Sequence, residues 1–333
     1  MDFRTEIDLP VGEFLINQRQ KLMLMGSCFA EEVGKRLSRD KFDCLINPFG
    51  VLYNPYSIAA ALSCLRSDKI FTEEDLFSYG GQWHSWMHHS SFSGESVEQT
   101  LEGINKQLQV AKRRLLEMNA LILTLGNNRC YRLKENGQIV GNCHKVPERN
   151  FDVVSLQPSE IVDLLSPRID ELIGQNEEIR IIFTVSPIRY LKYGLHGSAL
   201  GKSALLLAID ALQNKYPEHV LYFPAYEILL DDLRDYRFYA EDMVHPSEMA
   251  VDYIYDCFHK SFCDKESIQV AKAWREIEKA LNHKPFNPYS KEYKCFLERT
   301  KVKIEQFQQS YPFVSVQKEL EICTTRLSKL ERY

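Results

Sequence analysis

Short apolar runs alternate along most of this chain with stretches whose apolar positions recur every three or four residues. Four of these runs are Lys21–Met25, Ala120–Leu125, Ile179–Val185 and Val220–Phe223. Continuous apolar runs of this length, bounded by Gly, Pro, Asn or charged residues, are typical of strands that are buried on both faces. The pattern therefore predicts parallel strands.

The stretches between these runs have helical periodicity. They predict helices at Phe29–Leu37, Tyr56–Leu65, Glu98–Met118, Pro158–Leu172, Gly201–Lys215 and Pro246–Phe262. Strands that alternate with helices in this way form a doubly wound sheet, so the predicted fold class is α/β. A polar hairpin at Tyr131–Val140, with an Asn136-Gly137 turn, is expected outside the main sheet.

The pattern changes near Asp264, which predicts one domain over residues 1–262 and a helical C-terminal extension over 263–333. Helices are expected at Ser267–Asn282 and Lys291–Gln309, followed by an amphipathic stripe made of Val316, Leu320, Cys323, Leu327 and Leu330. Packing of this stripe onto the body is favoured, because a coiled coil needs about three to four heptads to be recognised. A homodimer through the C-terminal helices is the alternative.

Composition places the chain among ordinary globular proteins. Its 333 residues are 44% apolar and 26% charged, which excludes collagen-like, disordered and histone-like classes. The net charge of −5 divides into −10 for residues 1–264 and +5 for residues 265–333, which predicts docking by complementary charge. Since the basic residues of the tail are interleaved with Glu, no nucleic-acid partner is expected.

Nothing in the sequence predicts export or a membrane partner. No apolar run approaches the roughly 18 residues of a membrane-spanning helix, and the acidic N-terminal segment is unlike a secretory signal. Nine cysteines without a Cys-x-x-Cys pair favour free thiols in a reducing compartment. We therefore expect a cytoplasmic protein.

Two short segments carry candidate chemistry. Ser27 follows the first predicted strand, where ligands bind in open parallel sheets, and it is expected at a helix N-terminus. Asp242 and His245 precede the last predicted helix, which is expected to begin at Pro246. Their spacing would let the carboxylate hold one ring nitrogen while the other accepts the Ser27 proton. Each segment alone is equally consistent with helix capping.

These two segments and several others along the chain resemble those of a known family. Residues 26–30 read Gly-Ser-Cys-Phe-Ala, the motif that names the GSCFA domain family of the SGNH (GDSL-like) hydrolase superfamily. The resemblance continues through residues 47–55, 83–85, 141–145, 184–187, 223–227 and 242–246. It implies a flavodoxin-like three-layer fold and a catalytic triad in which Ser27 is the nucleophile, His245 the base and Asp242 the orienting acid.

The resemblance also implies an oxyanion hole. Its donors would be the backbone N–H groups of Ser27 and Gly50 together with Asn128, and Asn142 or a side chain of the Trp83–His89 loop is the alternative for the third. Cys28 is a rival nucleophile by its position in the first helical turn, but it is expected to point toward the sheet and to serve in packing.

Histidines form a second candidate site. Trp83, His84 and His144 are expected to line a substrate pocket, because aromatic faces and imidazole donors suit sugars and acyl groups. The alternative is a metal-dependent hydrolase that uses His84, His88 and His144, although the flanking Gly and Ser residues favour a loop, where the spacing of four loses its significance.

The favoured function is hydrolysis or acyl transfer on a small or carbohydrate-linked ester, with neither a metal nor an organic cofactor. The non-catalytic alternative is a domain that binds a glycan or a protein partner on the same fold.

Overall fold

The computed structural model describes residues 5–10, 12 and 14–330, which contain ten strands and ten helices. The strands are β1 (Lys21–Gly26), β2 (Asp43–Ile46), β3 (Leu76–Tyr79), β4 (Gln82–Ser85), β5 (Ala120–Leu125), β6 (Arg129–Leu133), β7 (Ile139–Val140), β8 (Phe151–Ser155), β9 (Arg180–Val185) and β10 (Val220–Phe223). The helices are α1 (Cys28–Arg39), α2 (Pro55–Arg66), α3 (Val97–Glu117), α4 (Pro158–Gln175), α5 (Gly194–Lys215), α6 (Ala225–Glu227), α7 (Glu248–Phe262), α8 (Lys265–Leu281), α9 (Lys291–Ser310) and α10 (Gln317–Leu330). None of these described helices is long and apolar enough to cross a membrane.

The central sheet has five parallel strands in the order β10-β9-β5-β1-β2. Numbered along the chain within this sheet, the order is 2-1-3-4-5, which is that of flavodoxin-like folds. The four predicted strands are all present. The fifth, β2, was missed because it is a short edge strand, begins with the exposed Asp43 and lacks the continuous burial of the others.

Helices cover both faces of the sheet, so the predicted α/β class and three-layer architecture are confirmed. Met23 and Met25 of β1 pack into a core with α2, α3, α4 and α5, whereas Leu22 and Leu24 pack with α1 and α7 on the opposite face. Alternate residues of one strand therefore serve two cores, as expected of a sheet buried on both sides.

Some predicted boundaries are wrong. Helix α5 begins at Gly194 rather than Gly201, and α7 begins at Glu248 because the side chain of Ser247, not the ring of Pro246, provides its N-terminal cap. The hairpin at Asn136-Gly137 is confirmed: β6 pairs with β7, and β8 joins them in a sheet separate from the main one.

The segment around Trp83 is not the continuous loop that the sequence predicted. Residues Gln82–Ser85 form β4, which pairs with β3 through a two-residue turn at Gly80 and Gly81. Both glycines have positive φ, +58° and +79°, as the tight turns that suit twisted hairpins require.

Helices α8, α9 and α10 share a small core of their own, centred on Trp274, Ile304, Phe307 and Cys323. Much of the amphipathic stripe is therefore covered by this chain, since Val316 and Cys323 are buried in that core and Leu320 packs against it. The homodimer remains a prediction.

A buried carboxylate joins this extension to the body. Asp40 is 0% exposed and accepts hydrogen bonds from the Tyr255 hydroxyl and the Arg275 Nε, both at 2.8 Å. Among the ion pairs of the described residues that join the extension to the body, Asp40–Arg275 alone has the polarity that the net charges predicted. The ion pairs Arg19–Glu266 and Lys41–Glu319 reverse it, with the cation on the body, so individual contacts rather than net charge hold the extension.

Replacing Arg275 tests this junction. Because Arg275→Met leaves the Asp40 carboxylate buried without its cation, we expect it to lower the free energy of unfolding by about 3 kcal/mol. Arg132→Met is the matched control, since Arg132 pairs with Asp152 in an exposed position and should cost less than about 1 kcal/mol. Urea denaturation measures both, and equal losses would contradict the proposed importance of Asp40.

Candidate functional site

A cavity of about 330 Å³ opens at the carboxyl edge of the central sheet. We call it the Ser27 cavity. Residues that follow three neighbouring strands meet in its wall, together with the turn that precedes α7. These residues are Ser27 and Cys28 after β1, Gly126 and Asn127 after β5, Ser186 and Ile188 after β9, and Val244 and His245 in the turn.

Ser27 occupies the turn between β1 and α1, as predicted. Its hydroxyl oxygen caps the helix by accepting the Phe29 N–H at 3.3 Å, and the residue is buried in the cavity wall. The preceding Gly26 has a φ of +144°, and a Cβ there would lie 2.2 Å from the Thr124 carbonyl oxygen. Only glycine therefore permits the close approach of β1 and β5 that places Ser27 at the cavity.

Asp242 and His245 form a hydrogen-bonded pair in the turn before α7. The His245 Nδ1 lies 2.6 Å from Asp242 Oδ2, while Asp242 Oδ1 accepts the backbone N–H groups of Val244 and His245 at 2.9 Å. The His245 N–H, the Val244 N–H and then the imidazole lower the pKa of Asp242 to about 2. The carboxylate thus stays ionised at neutral pH and can orient the ring.

The predicted triad residues are close together but not fully connected. His245 and Ser27 line the same cavity, and His245 Nε2 has no hydrogen-bond partner among the described residues, including Ser27. Hydrogen bonds between a base and its nucleophile are often long without substrate and shorten when substrate binds. The pair formed by Asp242 and His245 is therefore preformed, whereas its contact with Ser27 is not.

The predicted oxyanion donors are all engaged elsewhere. The Ser27 N–H donates to the Thr124 carbonyl at 3.1 Å, and the Gly50 N–H donates to the Asn47 carbonyl at 2.7 Å. The Asn128 side chain turns away from the cavity and donates to the Leu156 carbonyl at 2.9 Å. The geometry therefore does not support the sequence-based assignment of these donors.

Asn127, the residue before Asn128, faces the cavity instead. Its Oδ1 accepts the Arg129 N–H at 3.2 Å, while its Nδ2 makes no hydrogen bond to any described residue. The Cys28 N–H, in the first turn of α1, is likewise without a described partner. Asn127 and Asn128 are adjacent in the sequence after β5. The sequence does not determine which of the two side chains faces the cavity, so Asn127 was missed.

Cys28 is exposed and lines the Ser27 cavity, so the prediction that it packs toward the sheet is wrong. The buried face of α1 is formed by Phe29, Val33 and Leu37, and Cys28 lies outside that stripe. Desolvation by the cavity wall nevertheless raises the pKa of its thiol, which favours the unreactive protonated form at neutral pH.

The histidines form a buried cluster that does not line the Ser27 cavity, although His144 lines a neighbouring cavity that shares Tyr53 and Lys192 with it. Both nitrogens of His84 are engaged, with the Ser93 hydroxyl at 2.6 Å and the Tyr79 carbonyl at 3.0 Å. The nitrogens of His144 contact the Ser85 carbonyl and the Ser90 hydroxyl. Burial lowers the pKa of His144 to about 4 and that of His88 to about 3.

This cluster has the character of a structural core. The rings of His84 and His144 lie 4.5 Å apart and pack with Phe77 and Trp86, and Trp83 is outside the Ser27 cavity. No group of three His, Cys, Asp or Glu residues in the described part of the chain is arranged to hold a metal ion. The predicted substrate contacts of Trp83, His84 and His144 are thus not at the Ser27 cavity.

A buried lysine lies against the floor of the cavity. The Lys202 ammonium donates to the carbonyls of Gly126 at 2.7 Å and Ser186 at 2.6 Å, and so joins the ends of β5 and β9. Burial, with a smaller effect of the Arg189 charge, lowers its pKa to about 7. Its position in a Gly-Lys-Ser sequence indicates no phosphate loop; its role is to tie two strand ends together.

Sequence reasoning missed one wall of the cavity. The segment after β9 contributes Arg189, Tyr190, Leu191 and Lys192, and Tyr53 lies opposite. The rule that sites form beyond the carboxyl ends of parallel strands applies to β9 as it does to β1, and would have identified this segment.

Comparison with known families covers most of the chain. Residues 21–258 match the family model described as the GSCFA family, and residues 274–329 match a second one, described as GSCFA domain protein, C-terminal domain. No curated protein matches the sequence.

Adding a methyl group at Gly26 tests how Ser27 is positioned. Gly26→Ala forces its Cβ against the Thr124 carbonyl, so we expect a loss of at least about 2 kcal/mol in the free energy of unfolding. Gly103→Ala, on α3 where nothing lies within 4 Å, is the control and should instead stabilise the protein by about 1 kcal/mol. Thermal and urea denaturation distinguish the two, and an unaffected Gly26→Ala would contradict the proposed constraint.

Proposed function

The chain belongs to the GSCFA family, and we propose that it is a serine hydrolase of SGNH type, an esterase or acyltransferase, whose nucleophile is Ser27. The observation that carries the proposal is the ionised Asp242, held 2.6 Å from a His245 whose other nitrogen is free in the same cavity as the Ser27 hydroxyl. These are the three groups that acyl transfer through a serine requires.

In the first step the Ser27 oxygen attacks the ester carbonyl while His245 Nε2 accepts the hydroxyl proton. The ester C–O bond then breaks, and the imidazolium returns the proton to the departing alkoxide. Water, or another acceptor alcohol, attacks the acyl-Ser27 ester in the same manner and regenerates the serine. Asp242 holds Nδ1–H throughout and stabilises the imidazolium without being protonated, consistent with its lowered pKa.

The negative charge that develops on the carbonyl oxygen needs donors near Ser27. We assign these to the Asn127 Nδ2 and the Cys28 N–H, two donors in the cavity wall that make no hydrogen bond to an oxygen or nitrogen of the described residues. Both lie next to Ser27, Cys28 along the chain and Asn127 beyond Gly126, whose hypothetical Cβ would approach the Ser27 Cβ to 3.5 Å.

The histidine cluster gives no support to a metal-dependent hydrolase. Lone pairs or N–H groups of His84 and His144 are already engaged with protein atoms, and binding a metal would require breaking these buried contacts. A carbohydrate-linked ester is also less well supported than it was by the sequence, because Val51, Ile188, Leu191 and Val244 make much of the cavity wall apolar.

Covalent labelling tests the nucleophile. A fluorophosphonate should react with the wild-type protein as the Ser27 oxygen displaces fluoride from phosphorus. Ser27→Ala should abolish labelling, and His245→Ala should slow it at least about 100-fold because the general base is lost. Cys28→Ala is the control and should label at a rate close to that of wild type. Labelling that persists in Ser27→Ala, or is lost in Cys28→Ala, would contradict the assignment.

Substitution of two adjacent asparagines tests the assignment of the oxyanion donor. Asn127→Ala should lower the labelling rate by about 100-fold or more, the cost of one lost donor. Asn128→Ala removes the same amide one position further on and should leave the rate nearly unchanged. Circular dichroism confirms that each variant is folded at the assay temperature. The reverse order of effects would restore Asn128 as the donor.

A further inference from the structure

A second cavity, of about 420 Å³, adjoins the Ser27 cavity. We call it the distal cavity. Its wall comes from the segment after β9, which provides Arg189, Leu191 and Leu195, and from the residues between α6 and α7, which include Leu229 and Tyr239. Arg189 and Leu191 line both cavities, so the two meet at these side chains.

The distal cavity is largely apolar, and its rim is unusually exposed for apolar side chains. Leu195 is 59% exposed, Tyr236 is 77% exposed, and Leu191 and Met243 are each about half exposed. Several large apolar residues exposed around one concavity are typical of a surface that binds an apolar group. The position beside Ser27 indicates that this group belongs to the substrate.

Arg189 provides a cation where the cavities meet. Its guanidinium is half-buried and makes no hydrogen bond or ion pair with the described residues. Its backbone is fixed, since the Arg189 N–H donates to the Val244 carbonyl at 3.0 Å beside His245. The side chain is thus held near the triad with five unused N–H donors, a geometry that suits a carboxylate or a phosphate.

The charged side chains around Arg189 are compatible with a bound anion. A second arginine, Arg234, also lines the distal cavity, and the Arg189 charge contributes to the lowered pKa of Lys202. Lys192 is paired with Glu148 at 2.6 Å, and Asp235 of the distal cavity lies 3.5 Å from Arg237. Asp242 is committed to His245. Arg189 therefore has no carboxylate partner among these neighbours.

We propose that the substrate is an anionic amphiphile: an ester whose carboxylate or phosphate group is bound by Arg189, and whose apolar portion occupies the distal cavity while the ester carbonyl lies at Ser27. This inference rests on the proposed serine hydrolase function and adds its substrate class.

Binding to the Ser27→Ala protein tests this substrate class without requiring turnover. Isothermal titration calorimetry compares hexyl phosphate with hexanol, which lacks the anion, and with inorganic phosphate, which lacks the chain. We expect hexyl phosphate to bind at least tenfold more tightly than either. Heptanoate replaces hexyl phosphate in a parallel titration, and the tighter of the two anions identifies carboxylate or phosphate as the preferred group.

Variants in the same background locate the two contacts. Arg189→Met should remove the preference for hexyl phosphate over hexanol, and Arg189→Lys should retain part of it. Arg132→Met is the control, because Arg132 and its ion-pair partner Asp152 both lie outside the two cavities. Leu195→Asn, at the exposed rim, should weaken hexyl phosphate binding several-fold and leave inorganic phosphate unaffected. Thermal unfolding verifies that each variant is folded.

Equal affinity for hexyl phosphate and hexanol, or an equal loss in Arg189→Met and Arg132→Met, would overturn the proposed substrate class. Because these titrations need neither the Ser27 hydroxyl nor chemistry, their failure is distinguishable from a failure of fluorophosphonate labelling. Tight binding without labelling would leave the anion site standing and refute the hydrolase.

Discussion

The candidate site depends on the contact between two backbones, where Gly26 at the end of β1 approaches Thr124 of β5. A side chain at Gly26 would overlap the Thr124 carbonyl, and the Ser27 N–H donates to that same carbonyl. This contact fixes the point at which the chain leaves the sheet and enters α1. The Ser27 amide is therefore engaged in holding the turn, and the oxyanion donors that we propose come from neighbouring residues.

The topology of the parallel sheet brings the other residues of the site together. Strands that run in one direction end at one edge, so the residues that follow β1, β5 and β9 meet there although they are far apart in sequence. Lys202 reinforces this edge by binding the carbonyls of Gly126 and Ser186. Asp242 and His245 approach from the turn before α7, which the Val244 carbonyl ties to Arg189.

Features that are determined by neighbouring residues in the sequence could be predicted, and features that depend on contacts across the fold could not. The buried strands and the place of Ser27 are encoded in adjacent residues, and they were predicted. The edge strand β2 lacks continuous burial, and the polarity of the Arg19–Glu266 contact depends on pairing across the fold, so neither could be predicted. The choice between Asn127 and Asn128 depends on the rotation of the chain after β5, which residue spacing does not determine.

The Ser27 cavity and the distal cavity meet at Arg189, and our proposals place the chemistry in the first and substrate recognition in the second. The most direct measurement is a crystal structure of the protein after reaction with a fluorophosphonate. We expect phosphorus bonded to the Ser27 oxygen, with the phosphonyl oxygen within hydrogen-bond distance of Asn127 Nδ2 and the His245 ring beside it. A phosphonyl group on Cys28, or an oxygen directed away from Asn127 toward Gly50, would contradict the assigned site.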